Sequence, residues 1–164
     1  MSMSTRVRNI GAIETTPLFD VVIDLAPPVN IGRGPFGHRV FFGAAGGSFE
    51  GPRLRGDVLP IGGDWALFRP DRAITLDVRL ILRTHDDALI QMTYGGRWIT
   101  PPGMREEMAD PAARHRIDPE RYYFRTNPLF ETGDERYSWL NDIVCAGSGY
   151  AVKGGIAYRV CRIL

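Results

Sequence analysis

The sequence predicts an all-β chain, an antiparallel β-barrel that is closed or nearly closed, with one or two short helices. Three observations carry this expectation. Short runs that alternate apolar and polar residues recur along the chain, the period of a strand with one buried face. The 19 glycines and 12 prolines punctuate those runs, as many short strands and turns require. Helix signals are confined to one stretch between Gly103 and Glu120. A set of about nine strands with so little helix has to close or split into two layers.

The elements follow in order. Pro17 to Leu25 is the first strand, with Phe19, Val21, Ile23 and Leu25 on one face, ended by Pro27-Pro28. A Gly- and Pro-rich loop runs from Asn30 to Gly37, and His38 to Ala44 is the next strand. Gly46-Gly47 suggests a bulge. Leu54 to Pro60 is a strand, Gly62-Gly63 a turn, and Asp64 to Arg69 the return. Ala73 to Gly95 is the clearest hairpin. Ile74, Leu76, Val78, Leu80 and Leu82 share one face of it, and it turns at Asp86-Asp87. Gly103 to Met108 forms a turn or two of helix. Asp110-Pro111 and Asp118-Pro119 are capped helix starts. Arg121 to Thr126 is a strand, Phe130 to Asp134 a loop or short strand, and Tyr137 to Ala146 pairs with Gly155 to Ile163 in a closing hairpin. We expect one domain over residues 1–164, with 1–14 an N-terminal segment ordered only in part.

Composition excludes several function classes. A net charge of +1, with arginines scattered among acids, is no basic face for nucleic acid. Met1 to Arg8 lacks the apolar run of a signal peptide, and no stretch reaches the ~20 apolar residues of a membrane span. The two cysteines, Cys145 and Cys161, are too few for a secreted disulfide framework. A cytoplasmic protein with reduced thiols is expected. A hairpin turning about Lys153 would set those two cysteines opposite each other as small buried side chains.

Reaction signatures are scarce. The phosphate-binding loop, the dinucleotide fingerprint and the nucleophile elbow are all missing. His38, His85 and His115 have no second ligand at metal spacing, so no metal and no cofactor are expected.

Several ordered blocks do form a pattern. They are Gly47-Ser48-Phe49-Glu50-Gly51-Pro52-Arg53-Leu54-Arg55-Gly56, Gly63-Asp64-Trp65, Leu82-Arg83-Thr84, Tyr122 to Thr126, Phe130 to Gly133, and Tyr137-Ser138-Trp139-Leu140-Asn141. With this order and spacing from about residue 15 to the C-terminus, the chain resembles the domain of unknown function 3237 family. The resemblance implies a small β-barrel. It also implies a precedent for chemistry, because some relatives beside polyketide pathways close a ring without a cofactor, adding a hydroxyl across an alkene. It carries over no residue roles. The stretch Tyr94-Gly95-Gly96-Arg97-Trp98 departs from a more polar family pattern and implies a different pocket mouth.

Those blocks supply the candidate site. Asp64 or Glu131 would be the base, and Arg125 and Tyr123 would stabilise a developing oxyanion. Trp65, Arg83, Tyr94, Trp139 and Asn141 would bind substrate. Tyr137, Trp139 and Asn141 fall on one face of a predicted strand, and Asp77, Arg79 and Arg83 on one face of another. Were those faces inward, the lumen would be polar and aromatic, but parity alone does not say which face is inward. Three functions follow. The favoured one is a cofactor-independent enzyme, a cyclase, isomerase or lyase, acting by acid–base chemistry on a small, largely apolar oxygenated compound. The alternative is a non-catalytic carrier, and the third is a subunit without a pocket. An acid converging on Tyr or Arg favours the first, a purely aromatic cavity the second, and a filled lumen the third. The expected partner is a small-molecule substrate, with no nucleic acid or membrane, and the sequence leaves a homodimer open.

Overall fold

A computed structural model describes Ser4 and residues 6–164; residues 1–3 and 5, part of the N-terminal stretch read above, lie outside it. The strands are β1 (Thr15–Leu25), β2 (Val29–Gly34), β3 (Gly37–Glu50), β4 (Arg55–Phe68), β5 (Ile74–Thr84), β6 (Leu89–Ile99), β7 (Tyr123–Thr126), β8 (Leu129–Glu131), β9 (Cys145–Val152) and β10 (Gly155–Ile163). Every pairing is antiparallel. The order β1-β10-β9-β7-β6-β5-β4-β3 closes on itself because β1 also pairs with β3. The result is an eight-stranded closed barrel with two extra strands, β2 on the edge of β3 and β8 beside β6. No helix among the described residues is long and apolar enough to cross a membrane.

The alternating patterns dictate which faces turn inward. Along β5, Leu76, Val78, Leu80 and Leu82 are buried while Asp77, Arg79 and Arg83 are exposed. The lumen therefore takes the apolar face of this strand, because burying an aliphatic side chain stabilises the fold by about 1.5–3 kcal/mol. Asp77 and Arg79 pair with each other in solvent instead.

The predicted β5–β6 hairpin is present, paired from Ile74 opposite Trp98 to Arg83 opposite Leu89. Three other expectations are corrected. Gly62-Gly63 is not a turn; the pair rejoins the β5 ladder just after a bulge inside one long strand. Val58 faces Leu82 and Gly62 faces Leu80, so β4 carries two extra residues. Both glycines have positive φ, and a Cβ at Gly62 would lie 2.1 Å from the carbonyl oxygen of Arg79. The loop expected from Asn30 to Gly37 is mostly β2, paired with β3 despite its glycines. Tyr137 to Asp142 is not strand; residues Glu135–Asp142 are 3-10 helix, started by Asp134, whose carboxylate accepts from the backbone N–H of Arg136. The closing hairpin is β9–β10. Its turn sets Cys145 opposite Arg162 and Cys161 opposite Ala146, so the cysteines are offset by one residue rather than opposed. Both are free thiols, Cys145 buried and Cys161 half-buried, and burial pushes the Cys145 thiol up to about 11.

The barrel is filled at one end. There Phe19 meets Phe49 and Phe130 at ring-centroid distances of 5.4 and 5.8 Å. Leu82, Ile90, Met92 and Val160 pack there with almost no exposed surface. At the other end the chain between β6 and β7 folds over the opening. It contains a short helix, α1 (Arg105–Ala109), which buries Met108 against the core.

Candidate functional site

Between the packed end and the covering segment lies a cavity of about 420 Å³. Its wall is mostly apolar. Leu76, Val78 and Leu80 come from β5, Tyr94 and Trp98 from β6, Phe124 from β7, and Ile156 and Tyr158 from β10. Space for these rings depends on Gly149 of β9, where an added Cβ would come within 2.8 Å of both Phe124 and Tyr158. Trp98 stacks on Phe124 at 4.5 Å, and Phe124 meets Tyr158 edge-on at 5.3 Å. The indole Nε1 of Trp98 is buried and has no acceptor among the described residues.

Among the described residues, the one carboxylate in the wall is Asp64 of β4. The bulge between Val58 and Gly62 precedes it, and beyond it Asp64, Ala66 and Phe68 all turn to the cavity while Trp65 turns away. The β4–β5 ladder skips the next two positions, Trp65 and Ala66. Side chains satisfy the freed groups. The backbone N–H of Asp77 donates to the Asp64 carboxylate at 3.0 Å, and Arg39 donates to the carbonyl of Trp65 at 2.6 Å. Asp64 is thus held by a designed gap in the sheet and aimed into an apolar space.

That environment sets its acidity. Burial raises the Asp64 carboxyl from the ordinary 3.8 to about 6; the Asp77 N–H and the Arg39 charge pull the other way, and the Asp77 charge adds to the rise. The rings of Tyr94 and Tyr158 meet edge-on at 5.4 Å. Burial first, and also the Asp64 charge, hold both phenols well above the usual tyrosine range; Tyr94 raises Tyr158 further, while the hydrogen bond with Tyr158 pulls Tyr94 the other way. Both therefore stay protonated and remain donors. A carboxylate poised near neutrality beside two phenolic donors in an apolar chamber can take a proton and bind the oxyanion that results.

The chain matches the model of the protein of unknown function DUF3237 over residues 13–163. It belongs to that family. Its relatives include two UPF0311 proteins of Rhodopseudomonas palustris. That of strain TIE-1 is 29% identical over 152 residues, covering 93% of this chain and 97% of the relative. That of strain ATCC BAA-98 is 30% identical over 154 residues with the same coverage. Among solved structures, a β-barrel-like protein of Acinetobacter baumannii is similar with a TM-score of 0.82 and 31% identity, covering 95% of this chain and 99% of that one. An enzyme from Penicillium herquei is similar with a TM-score of 0.70 and 19% identity, covering 96% and 99%, a likeness of fold alone.

Within this family barrel, Asp64 and Tyr94 are the sequence-chosen residues that line the cavity. The others lie elsewhere, and strand parity or local capping explains each. Trp65 is on the outer face of β4, its ring 4.7 Å from Phe41. Arg83 is outside on β5, 3.5 Å from Asp57. Tyr123 and Arg125 flank the inward Phe124, so both point out, and the Arg125 guanidinium lies 5.4 Å over the Tyr123 ring. Glu131 is exposed on β8. Trp139, on the 3-10 segment, is half-buried against the core away from the cavity wall, its ring covered by Arg53 at 3.9 Å. Asn141 clamps the backbone of Thr132, accepting from its N–H at 2.8 Å and donating to its carbonyl at 3.0 Å.

Sequence reasoning missed Tyr158, Trp98, Phe124 and three arginines of the wall, Arg72, Arg105 and Arg114. The alternation Ile156, Tyr158, Val160 carried a signal for Tyr158. The arginines carried none, because only the closed fold shows what the covering segment lies on.

Proposed function

We propose that the protein is a cofactor-independent acid–base enzyme, a cyclase, isomerase or lyase, whose substrate is a small, largely apolar oxygenated compound bound in the barrel. The observation that carries this reading is the Asp64 carboxylate, raised to about 6 and facing the Tyr94–Tyr158 pair in an open apolar chamber. A base tuned close to neutrality and aimed into a ligand chamber favours catalysis over carriage. The Penicillium herquei enzyme supports the reading only in that the same barrel can house catalysis.

The step is simple. Asp64 takes a proton from the carbon next to a carbonyl. The C–H electron pair becomes the carbon–carbon double bond of an enolate, and the carbonyl pair moves onto oxygen. Tyr158 or Tyr94 donates a hydrogen bond to that oxygen. Returning the proton at another carbon isomerises the compound, and loss of a β-substituent from the enolate cleaves it. For ring closure Asp64 instead takes the proton of an internal hydroxyl as its oxygen adds to the β-carbon of an enone; the alkene pair shifts to form the enolate, the same phenol binds its oxygen, and the proton returns at the α-carbon.

The first half-reaction can be tested with simple substrates. Cyclohexanone, acetophenone and 1-tetralone are incubated with the protein in deuterated buffer, and α-deuteration is read by mass spectrometry. The wild type is expected to exchange at least one ketone above buffer. Asp64→Asn is expected to lose about 10²-fold or more of that rate. Arg125→Gln, outside the barrel, is expected to leave it unchanged. Ketones that bind without exchanging, or exchange that survives Asp64→Asn, would contradict the reading.

A further inference from the structure

The charge of the cavity wall is uneven along the barrel axis. Asp64 shares a tier with Val78 and Tyr94, since β4 pairs Asp64 with Val78 and β6 pairs Tyr94 with Val78. Four residues further along β5 is Ile74, opposite Trp98 and beside the β4–β5 turn. At a strand rise of about 3.3 Å per residue, that turn lies roughly 13 Å from the Asp64 tier.

The wall's three cationic side chains belong to this distant end. Arg72 sits in the β4–β5 turn with a φ of 71°, a left-handed conformation that a side chain adopts at some cost. Arg105 opens α1, and Arg114 opens the next 3-10 turn. Three separate segments therefore bring guanidinium groups to one opening. No carboxylate among the described residues pairs with any of them. Four of the neighbouring acids are engaged otherwise, and Glu106, next to Arg105 in α1, makes no ion pair with it. Asp71 pairs with Arg69, and Glu107 lies 3.9 Å from Arg121. Asp110 and Asp118 accept from the backbone N–H groups of Ala112 and Glu120.

An apolar chamber with a collar of unpaired cations at its mouth is complementary to an amphipathic anion. We propose that the ligand of this chamber is an organic anion, a carboxylate or sulfonate whose charged end seats among Arg72, Arg105 and Arg114 while its apolar body extends toward Asp64. This rests on the chamber being a ligand site, as the proposed function holds, but not on catalysis. It adds a requirement for the substrate: an oxygenated, reactive end near Asp64 and an acidic group roughly 13 Å away along the strand.

Two fluorescent probes with the same ring system separate the parts of this inference. 8-Anilinonaphthalene-1-sulfonate carries a negative charge, and N-phenyl-1-naphthylamine does not. The wild type is expected to bind the sulfonate about tenfold or more tighter than the neutral amine. The double variant Arg105→Gln/Arg114→Gln is expected to lose that preference and leave the affinity for the neutral amine unchanged. Added salt should weaken only the sulfonate. Equal affinity for the two probes, or a parallel loss of both in the variant, would overturn the anion requirement and leave the chamber standing. Failure of both probes to bind would overturn the chamber reading and this inference with it.

Discussion

The two halves of the lumen are built from the same strands and differ only in what those strands turn inward. Toward the packed end, β5 contributes Leu82, β6 contributes Ile90 and Met92, and β10 contributes Val160, all with almost no exposed surface. A few residues along the same strands, the inward positions are Leu76 and Val78, then Tyr94, Gly96 and Trp98, then Ile156 and Tyr158. On β4 the contrast is sharper, from Val58 at the packed end to Asp64 and Ala66 beyond the bulge. The first half maximises contact among aliphatic groups. The second uses small residues, rings with polar tips and one acid, and so gives up packing for space. Stability and function are thus divided along a single axis.

Truncating the same residue type in each half should break this symmetry most visibly. Leu82→Ala leaves a hole in a close-packed region and is expected to cost roughly 3–5 kcal/mol in denaturant unfolding. Leu76→Ala, on the same strand, widens a cavity that already exists and loses fewer contacts, so it is expected to cost about 2 kcal/mol or less. Equal costs would mean that the upper half is as tightly packed as the lower.

Filling should have the opposite signature. Ala66 faces the cavity and is buried. Ala66→Leu is expected to weaken binding of N-phenyl-1-naphthylamine about tenfold or more, because its new methyl groups take the ligand's volume, and to leave stability within about 1 kcal/mol. A large loss of stability would show that no usable space adjoins Ala66.

The two halves were not equally legible in the sequence. Leu76, Val78, Leu80 and Leu82 alternate so regularly that the β5–β6 hairpin and its buried face are local facts. The site is not local. Asp64 could be suspected as an acid, and it keeps the inward parity of Val58 across the two inserted residues of β4, but Gly62-Gly63 reads as a turn until the partner strand is known, which hides that Val58 and Asp64 share one strand. Arg83 and Arg125 looked as useful as Asp64 because a sequence shows parity without showing which parity is inside. β2 reads as loop because its Gly and Pro neighbours outweigh a short apolar pattern that pairs only on the edge of β3. Trp139 and Asn141 read as strand residues because nothing in Tyr137 to Asn141 marks a 3-10 segment, and the one sign of it is the capping acid Asp134 just before.

The acid at the boundary of the two halves tests the account most directly. Its protonation couples to folding. The Asp64 proton is bound more tightly in the fold than in the unfolded chain, so the stabilisation is fully present below 3.8 and is lost as pH rises through about 6. The direct measurement is a carbon-13 titration of the aspartate carboxyls in labelled protein, with the Asp64 signal assigned by its disappearance in Asp64→Asn. The account expects that carboxyl to titrate near 6, apart from Asp20, which its Arg159 partner holds below the usual carboxylate range. An Asp64 carboxyl that titrates at the ordinary 3.8 would mean a solvated side chain and would contradict the chamber and its base together.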